Sequence, residues 1–336
     1  MSELLISTDR GEYIVIVGEE PTKSAPSLTL SNALTRLGLA VRFAPVDQLR
    51  RLEWLRILRS SKAIVLVFYG VVDAYRLSQL ATAAALNVPI VRWWVGTDVL
   101  NVITREEVRK NAVQLDRVVS VNVAVASHLV DELATAGIYA QFVPSILDPH
   151  LIEPEVVEWG EKIKPVILYM PGGRKEFFGL NAIEPVITAN PDIKFIVIAD
   201  DTHALASHPN VESLGWVSDM NRIYPRAGCV LRITAHDGLP RVLMEGLLHG
   251  LYAIYSWPLQ GCWEARSTEE IETALSWYRA TTAPNVAGRT AMLAMVGARP
   301  DLQIAKLIAA ASVPRVTRGH AFALALRTKL FSANVA

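Results

Sequence analysis

Cysteine is nearly absent. Cys229 and Cys262 are the only two in 336 residues, which excludes a disulfide framework and points to a reducing compartment. An excess of one charge is missing too. The 33 basic and 33 acidic residues leave a net charge of zero, so nucleic acid is not expected as a bulk electrostatic partner. No apolar run approaches the ~20 residues that span a bilayer. The opening MSELLISTDRGE has neither a basic start nor a long apolar core, so no signal peptide is expected and a cytoplasmic location is. Several catalytic signatures are lacking as well: there is no Gly-x-Ser-x-Gly elbow, no His-Glu-x-x-His, no P-loop and no Cys-x-x-Cys pair. The loop from Gly18 to Ser24 lacks the second glycine of Gly-x-Gly-x-x-Gly, which argues against a bound NAD. In that loop Ser24 reads as a helix cap, and Lys23 as a candidate acceptor contact.

What the chain has in quantity is aliphatic residues. Hydrophobic types make up 51%, enough for large cores, since a chain of this size buries about three quarters of its unfolded surface. Two domains are expected at this length. Apolar runs that suit strands, at 13–17, 41–44, 63–69, 88–95 and 117–121, alternate with helical spacings at 24–37, 47–59, 74–86 and 127–136. Strands separated by helices of this length argue for a parallel, doubly wound sheet. The helix at 47–59 is basic and amphipathic, with Leu49, Leu52, Leu55 and Leu58 apolar among Arg50, Arg51, Arg56 and Arg59. It reads as a solvated basic face, or as a weak peripheral contact with anionic lipid.

The rhythm breaks between residues 144 and 165. Pro144, Pro149, Pro154 and Pro165 interleave with Glu153, Glu155, Glu158 and Glu161, a composition suited to an exposed linker. Domains are therefore expected at 1–150 and 166–316, with a linker at 151–165 and a separate C-terminal helix in 317–336. Beyond the linker, strands are expected at 166–170, 193–199 and 211–214, with helices at 181–188 and from 218. Helices at 268–280, 286–297, 302–311 and 320–331 fill the end.

The most informative stretch is residues 228–257, GCVLRITAHDGLPRVLMEGLLHGLYAIYSW. It reads as strand, acidic turn, helix, strand. Pro240 sits where a helix tolerates proline, in its first turn, and Gly250 stops the helix. Asp237 precedes that helix and Glu245 lies about two turns inside it. A helix N-terminus attracts an anion, while the two acids can grip hydroxyls of a sugar or a ribose. Arg232 and His236 flank the turn; Arg232 either contacts a ligand or pairs with a neighbouring carboxylate.

The run Asp-Gly-Leu-Pro-x-x-x-x-Glu-Gly resembles the acid-x7-acid motif of retaining glycosyltransferases of the GT-B fold, above all family 4, whose members usually show Glu-Gly-x-x-x-x-x-x-Glu-Ala. The resemblance implies an α/β fold of two doubly wound, Rossmann-like parallel-sheet domains facing a cleft. It implies an N-terminal domain for the acceptor, a C-terminal domain for a nucleotide sugar, and a final helix crossing back to the first domain. Under it Asp237 orients the donor sugar and Glu245 holds the ribose, with Gly238, Leu239 and Pro240 at the phosphate end of the helix. Pro171-Gly172-Gly173-Arg174-Lys175 is similar to the family's Gly-Arg-Leu loop, so Gly173, Arg174 and Lys175 are candidates for the diphosphate. The family's lysine about five residues after the arginine is Gly179 in this chain.

Val217, in Leu-Gly-Trp-Val-Ser, is similar in place to the family's base-contacting segment; Trp216 beside it is equally readable as buried. Arg-Trp-Trp-Val-Gly-Thr-Asp at 92–98 is similar to a Gly-Ser-Asp-Val stretch, making Trp94 and Asp98 candidates for the acceptor. Asp98 also reads as a helix N-cap, and one of the tryptophans as core. Transfer in such enzymes implies no bound metal and no other cofactor. The expected partners are a nucleotide-sugar donor and a glycan or lipid-linked acceptor, at the inner face of the membrane if lipid-linked. The rival readings are a GT-B-fold sugar-nucleotide epimerase and a non-catalytic nucleotide-sugar or glycan-binding protein.

Overall fold

The uniformly apolar runs become buried parallel strands, the pattern of sheets covered on both faces. The computed structural model describes residues 12–17, 26–44, 50–67, 74–160 and 163–313. The chain forms two compact units, Met1–Asp148 with Arg299–Ala336, and Pro149–Ala298.

The first unit holds a parallel sheet of β1 (Tyr13–Val17), β2 (Ala40–Ala44), β3 (Ser61–Val67), β4 (Ile90–Trp94), β5 (Val121–Ala124) and β6 (Gln141–Phe142), in the order β2-β1-β3-β4-β5-β6. Its helices are α1 (Pro26–Arg36), α2 (Arg51–Ser60), α3 (Ala74–Ala85), α4 (Thr97–Thr104), α5 (Glu106–Asp116) and α6 (Ser127–Thr135). The basic helix α2 turns Trp54 and Leu58 inward, with Leu55 and Ile57 against the core. Leu52, expected on the apolar face, is 70% exposed beside the exposed Arg51, Arg56 and Arg59.

The second unit holds β7 (Val166–Tyr169), β8 (Phe195–Ile198), β9 (Val211–Gly215), β10 (Cys229–Arg232), β11 (Tyr252–Tyr255) and β12 (Trp263–Glu264). All pair in parallel, in the order β12-β11-β10-β7-β8-β9. Helices α7 (Leu180–Ala189), α8 (Arg241–Leu248), α9 (Thr268–Arg279) and α10 (Val286–Gly297) complete it. Counted from β7, this is the 3-2-1-4-5-6 order of dinucleotide-binding sheets. Gly246 lets α8 lie close on the sheet: a Cβ there would stand 2.7 Å from Val230 Cγ2 of β10.

Four expectations change in the structure. Residues 117–120 are the turn after α5, so the fifth strand begins only at Val121. The helix expected from 218 is replaced by two 3-10 turns, Met220–Arg222 and Tyr224–Arg226, because Pro225 lacks the N–H that would continue an α-helix. The segment expected as an exposed linker at 151–165 is bound to the second unit. Its glutamates at 153, 155 and 158 point outward, but Val157 is buried and Trp159 packs edge-on against Tyr252 and Tyr278, with ring centroids 5.6 and 6.4 Å away. Val157 N–H donates to His249 O at 2.9 Å, and the Tyr278 hydroxyl donates to Lys164 O at 2.7 Å. Lastly, the chain rejoins the first unit from Arg299 rather than after 316. Helix α11 (Pro300–Ala310) buries Ile304, Ala305 and Ile308 and packs against α1, and Val313 enters the first unit's core. Residues 317–336, expected to carry a C-terminal helix, lie outside the described residues.

Candidate active site

In the second unit the chain runs β7, β8, β9 to one side and begins β10 on the other side of β7. The order therefore reverses between β7 and β10, and open α/β sheets bind ligands beyond the carboxyl ends of the strands at such a point. The loop after β7 carries Gly173, Arg174 and Lys175; the loop after β10 carries Asp237 to Pro240. Ala235 N–H donates to Phe177 O at 2.9 Å, which ties the two loops together.

Asp237 is held from below. Arg232, the last residue of β10, donates from Nε (2.9 Å) and Nη2 (2.6 Å) to Asp237 Oδ2. The guanidinium is caged against the Tyr169 and Phe178 rings, 4.3 and 4.6 Å from their centroids. Both side chains are largely buried, 8% and 19% exposed, so each would be costly to leave alone. Arg232 thus takes the carboxylate-pairing role among its two sequence readings. Gly238 N–H donates to Asp237 Oδ1 at 3.0 Å, so this expected phosphate donor is turned onto the acid. The Tyr255 hydroxyl donates to Gly238 O at 3.0 Å and fixes the turn from behind. His236 packs edge-on to Trp257 with centroids 5.5 Å apart.

Glu245 lies just over one turn into α8, not two, buried with only 7% exposed. Its Oε2 accepts from the Tyr224 hydroxyl at 2.9 Å, and its Oε1 accepts from Arg241 Nε at 3.2 Å. The helix starts at Arg241, with Pro240 as the cap residue just before it rather than in its first turn. Leu239 is buried beneath that cap. Burial pushes the Glu245 carboxyl above the ordinary carboxylate range; the Arg241 charge and the Tyr224 hydroxyl pull the other way. A raised folded value has a definite sign in stability. Glu245 stabilises the fold fully below the ordinary value of 4.5 and loses that contribution as pH rises through its raised value. Glu245→Gln should therefore gain melting temperature relative to wild type as pH rises above that ordinary value, with little difference below it. Parallel pH curves for the two proteins would contradict this.

The cationic loop after β7 is more open. Gly173 and Arg174 are exposed and Lys175 is half-buried, and the Arg174 guanidinium lies 4.0 Å from the centroid of Phe177. Val217 is half-buried beyond β9, and Trp216 beside it is 60% exposed, so its reading as a buried residue does not hold. Among the described residues no three His, Cys, Asp or Glu side chains cluster as a metal site.

The candidates in the first unit have internal partners. Asp98 is 3% exposed and accepts backbone N–H bonds from Val95, Gly96 and Val99 at 3.1, 2.9 and 3.0 Å. Burial raises its carboxyl above the ordinary range, against those donors and Arg92. The carboxylate anchors the start of α4 from the helix's second residue; the cap residue is Gly96 and not Asp98. Trp94 is fully buried and donates from Nε1 to Asn122 Oδ1 at 3.0 Å, with Arg92 stacked 3.5 Å from its centroid. Its ring is core. Lys23 lies outside the described residues.

No family model matches the chain and no curated protein matches it in sequence. Solved structures do match in shape. Anabaena HepE in complex with UDP aligns over 88% of this chain and 99% of its own, at 12% identity and a TM-score of 0.65. Sucrose-phosphate synthase from Thermosynechococcus elongatus aligns over 89% and 98%, at 11% identity and 0.62. The lipopolysaccharide outer core galactosyltransferase WaaB, in its apo form, aligns over 94% and 99%, at 12% identity and 0.57. The chain has the GT-B fold.

Within this GT-B chain the glycine that replaces an expected lysine now has a reason. Gly179 adopts φ +75°, and a Cβ built on it would stand 2.6 Å from Ile233 Cγ2, at the start of the acidic loop. No side chain fits there. Sequence reading also missed two residues that support Glu245. Arg241 was visible as a helical (i, i+4) partner. Tyr224 was not, because 21 positions separate it from the acid.

Proposed function

We propose that the chain is a retaining glycosyltransferase that moves a sugar from a nucleoside-diphosphate sugar to a glycan, lipid-linked or small-molecule acceptor. The observation that carries the reading is the placement of Asp237 and Glu245. One strand–turn–helix unit brings both acids to the carboxyl-end side of β10, beside the strand-order reversal, and each has its own buried support. Buried acids with dedicated partners are more than a solvated capping turn requires.

Asp237 orients the donor sugar through its hydroxyls, and Glu245 accepts from the ribose. The leaving group is a nucleoside diphosphate, so the chemical demand is charge stabilisation on its β-phosphate. Arg174, Lys175 and the first-turn N–H groups of α8 supply it electrostatically, with Gly173 allowing close backbone approach. Val217 offers its backbone to the base. The acceptor attacks from the face the phosphate leaves, so the mechanism uses no protein nucleophile and no metal. The complexes of Anabaena HepE with UDP, with UDP-glucose, and with UDP and glucose support a nucleotide sugar as the donor class. No described helix is long and apolar enough to cross a membrane; exposed arginines and Leu52 on α2 suit peripheral contact with an anionic surface, where a lipid-linked acceptor would reside in the cytoplasm.

Titration calorimetry with UDP, GDP, ADP and their sugars tests the reading, followed by NMR of the products with an acceptor present. Binding of one family of nucleotides, with transfer and retained anomeric configuration, is expected. Interconversion of the donor without an acceptor would instead mean an epimerase, and tight binding without turnover a binding protein. No binding at all would sink the donor site.

A further inference from the structure

Both oxygens of the Glu245 carboxylate are covered. Tyr224 holds Oε2 at 2.9 Å, while Arg241 meets Oε1 from Nε at 3.2 Å and from Nη2 at 3.1 Å. Each oxygen keeps a further lone pair, but Glu245 is only 7% exposed, so a ribose hydroxyl gains room at the acid where one cover moves aside. Tyr224 cannot: it is fully buried, and its ring stacks on His249 with centroids 4.8 Å apart. Arg241 can, being 29% exposed on a long flexible stem.

Its position is unusual in a second respect. Arg241 opens α8, where the helix end is partially positive and an acid, not a cation, is favoured. It also precedes its glutamate by four residues, the weaker orientation for such a pair. Helix stability does not account for an arginine here. An anion arriving at the same helix end does, because the guanidinium fork matches phosphate oxygens.

We propose that Arg241 exchanges partners when a nucleoside diphosphate binds, leaving Glu245 Oε1 to the ribose and turning onto the phosphates. The proposal rests on the donor-site reading above and adds a residue that reads the diphosphate separately from the nucleoside. It also adds a cation on the β10 side to Arg174 and Lys175 of the loop after β7, where Gly179 stands in place of the family's lysine. Before binding, the pair keeps a buried carboxylate neutralised; after binding, the ribose hydroxyl takes that place.

The test is calorimetry and ligand-observed NMR on the full chain, with every variant at the same pH. Wild type, Arg241→Met and Arg241→Lys are each titrated with UDP, GDP and ADP, and with uridine, guanosine and adenosine. For the diphosphate that binds wild type, Arg241→Met should weaken affinity by roughly 10- to 100-fold, the scale of a charged hydrogen bond, yet leave the parent nucleoside within about threefold. Arg241→Lys keeps the charge without the fork and should fall between. Equal weakening of diphosphate and nucleoside in either variant would make Arg241 a structural support only and overturn the proposal. So would unchanged affinity for both. Failure of wild type to bind any of the diphosphates would instead remove the donor-site reading itself, and this proposal with it.

Discussion

Asp237→Asn should lower sugar transfer by about 10²–10³-fold, the usual cost of losing one electrostatic contact to a transition state, while nucleotide affinity stays near wild type. Asparagine keeps the shape of the side chain and an oxygen for Arg232. It removes the negative charge that would organise the sugar hydroxyls. Alanine is the poorer test in this chain. It would leave Arg232, 8% exposed between two aromatic rings, without a side-chain acceptor as well as without a counter-charge, and breaking a buried pair outright costs about 3–5 kcal/mol. Loss of activity in Asp237→Ala would then mix chemistry with unfolding. Initial rates, a melting curve and a nucleotide titration on the asparagine variant separate the two. Wild-type turnover in a folded Asp237→Asn protein would remove Asp237 from the mechanism.

The second large effect is on stability. Gly179→Ala should destabilise the protein by about 2–5 kcal/mol, summing the cost of a left-handed conformation at an L-residue and of overpacking. The residue sits at φ +75°, and the new Cβ would approach Ile233 Cγ2 to 2.6 Å. For a chain of this size the melting temperature should fall by roughly 5–15 °C. Gly179→Lys, which restores the residue that the motif resemblance leads one to expect, should be at least as damaging and should not improve nucleotide binding. Combining Gly179→Ala with Ile233→Ala removes the 2.6 Å contact but leaves the Cβ of residue 233 at 2.9 Å and the backbone strain in place, so the double variant should be less destabilised than the sum of the singles, though not rescued. Additive losses would show that the contact is not the cause.

The fold was largely legible in residue patterning. Uniformly apolar runs such as those of β3 and β8 announced a covered parallel sheet, and the motif around Asp237 fell on the expected strand, turn and helix. Helices α4 and α5 went unassigned, although Val108, Ala112 and Leu115 of α5 keep a helical spacing and are buried. The short α4 and the tryptophans before it masked that signal. In the strap after Pro149, glutamates at 153, 155 and 158 hid the inward turn of Val157 and Trp159, since composition averages over both faces.

In the candidate site, the shared placement of the two acids was legible because both sit on one continuous turn-and-helix unit. Their supports were not. Tyr224 reaches Glu245 from a separate turn, and the Tyr169 and Phe178 rings reach Arg232 from the neighbouring strand and its loop. Such partners become neighbours only through β-strand order, which periodicity does not encode. Asp98 and Trp94 are a different case: an acid and an indole at a strand's carboxyl end look the same in sequence whether they face a ligand or, as the contacts of both show, tie down a helix start and fill a core.

The return of α11 to α1 also orders events on the ribosome. All of the second unit, through Ala298, emerges between the two pieces of the first. The first sheet can pair early, since its strands lie within residues 13–142, and α1 packs on β2, but the side of α1 that meets α11 must wait about 260 residues, from Arg36 to Pro300, for its partner. At about 5–20 residues per second that is a delay of tens of seconds. The first unit to begin is therefore the last to close, and a chain truncated at residue 298 would leave that side of α1 open to chaperones while containing the whole second unit.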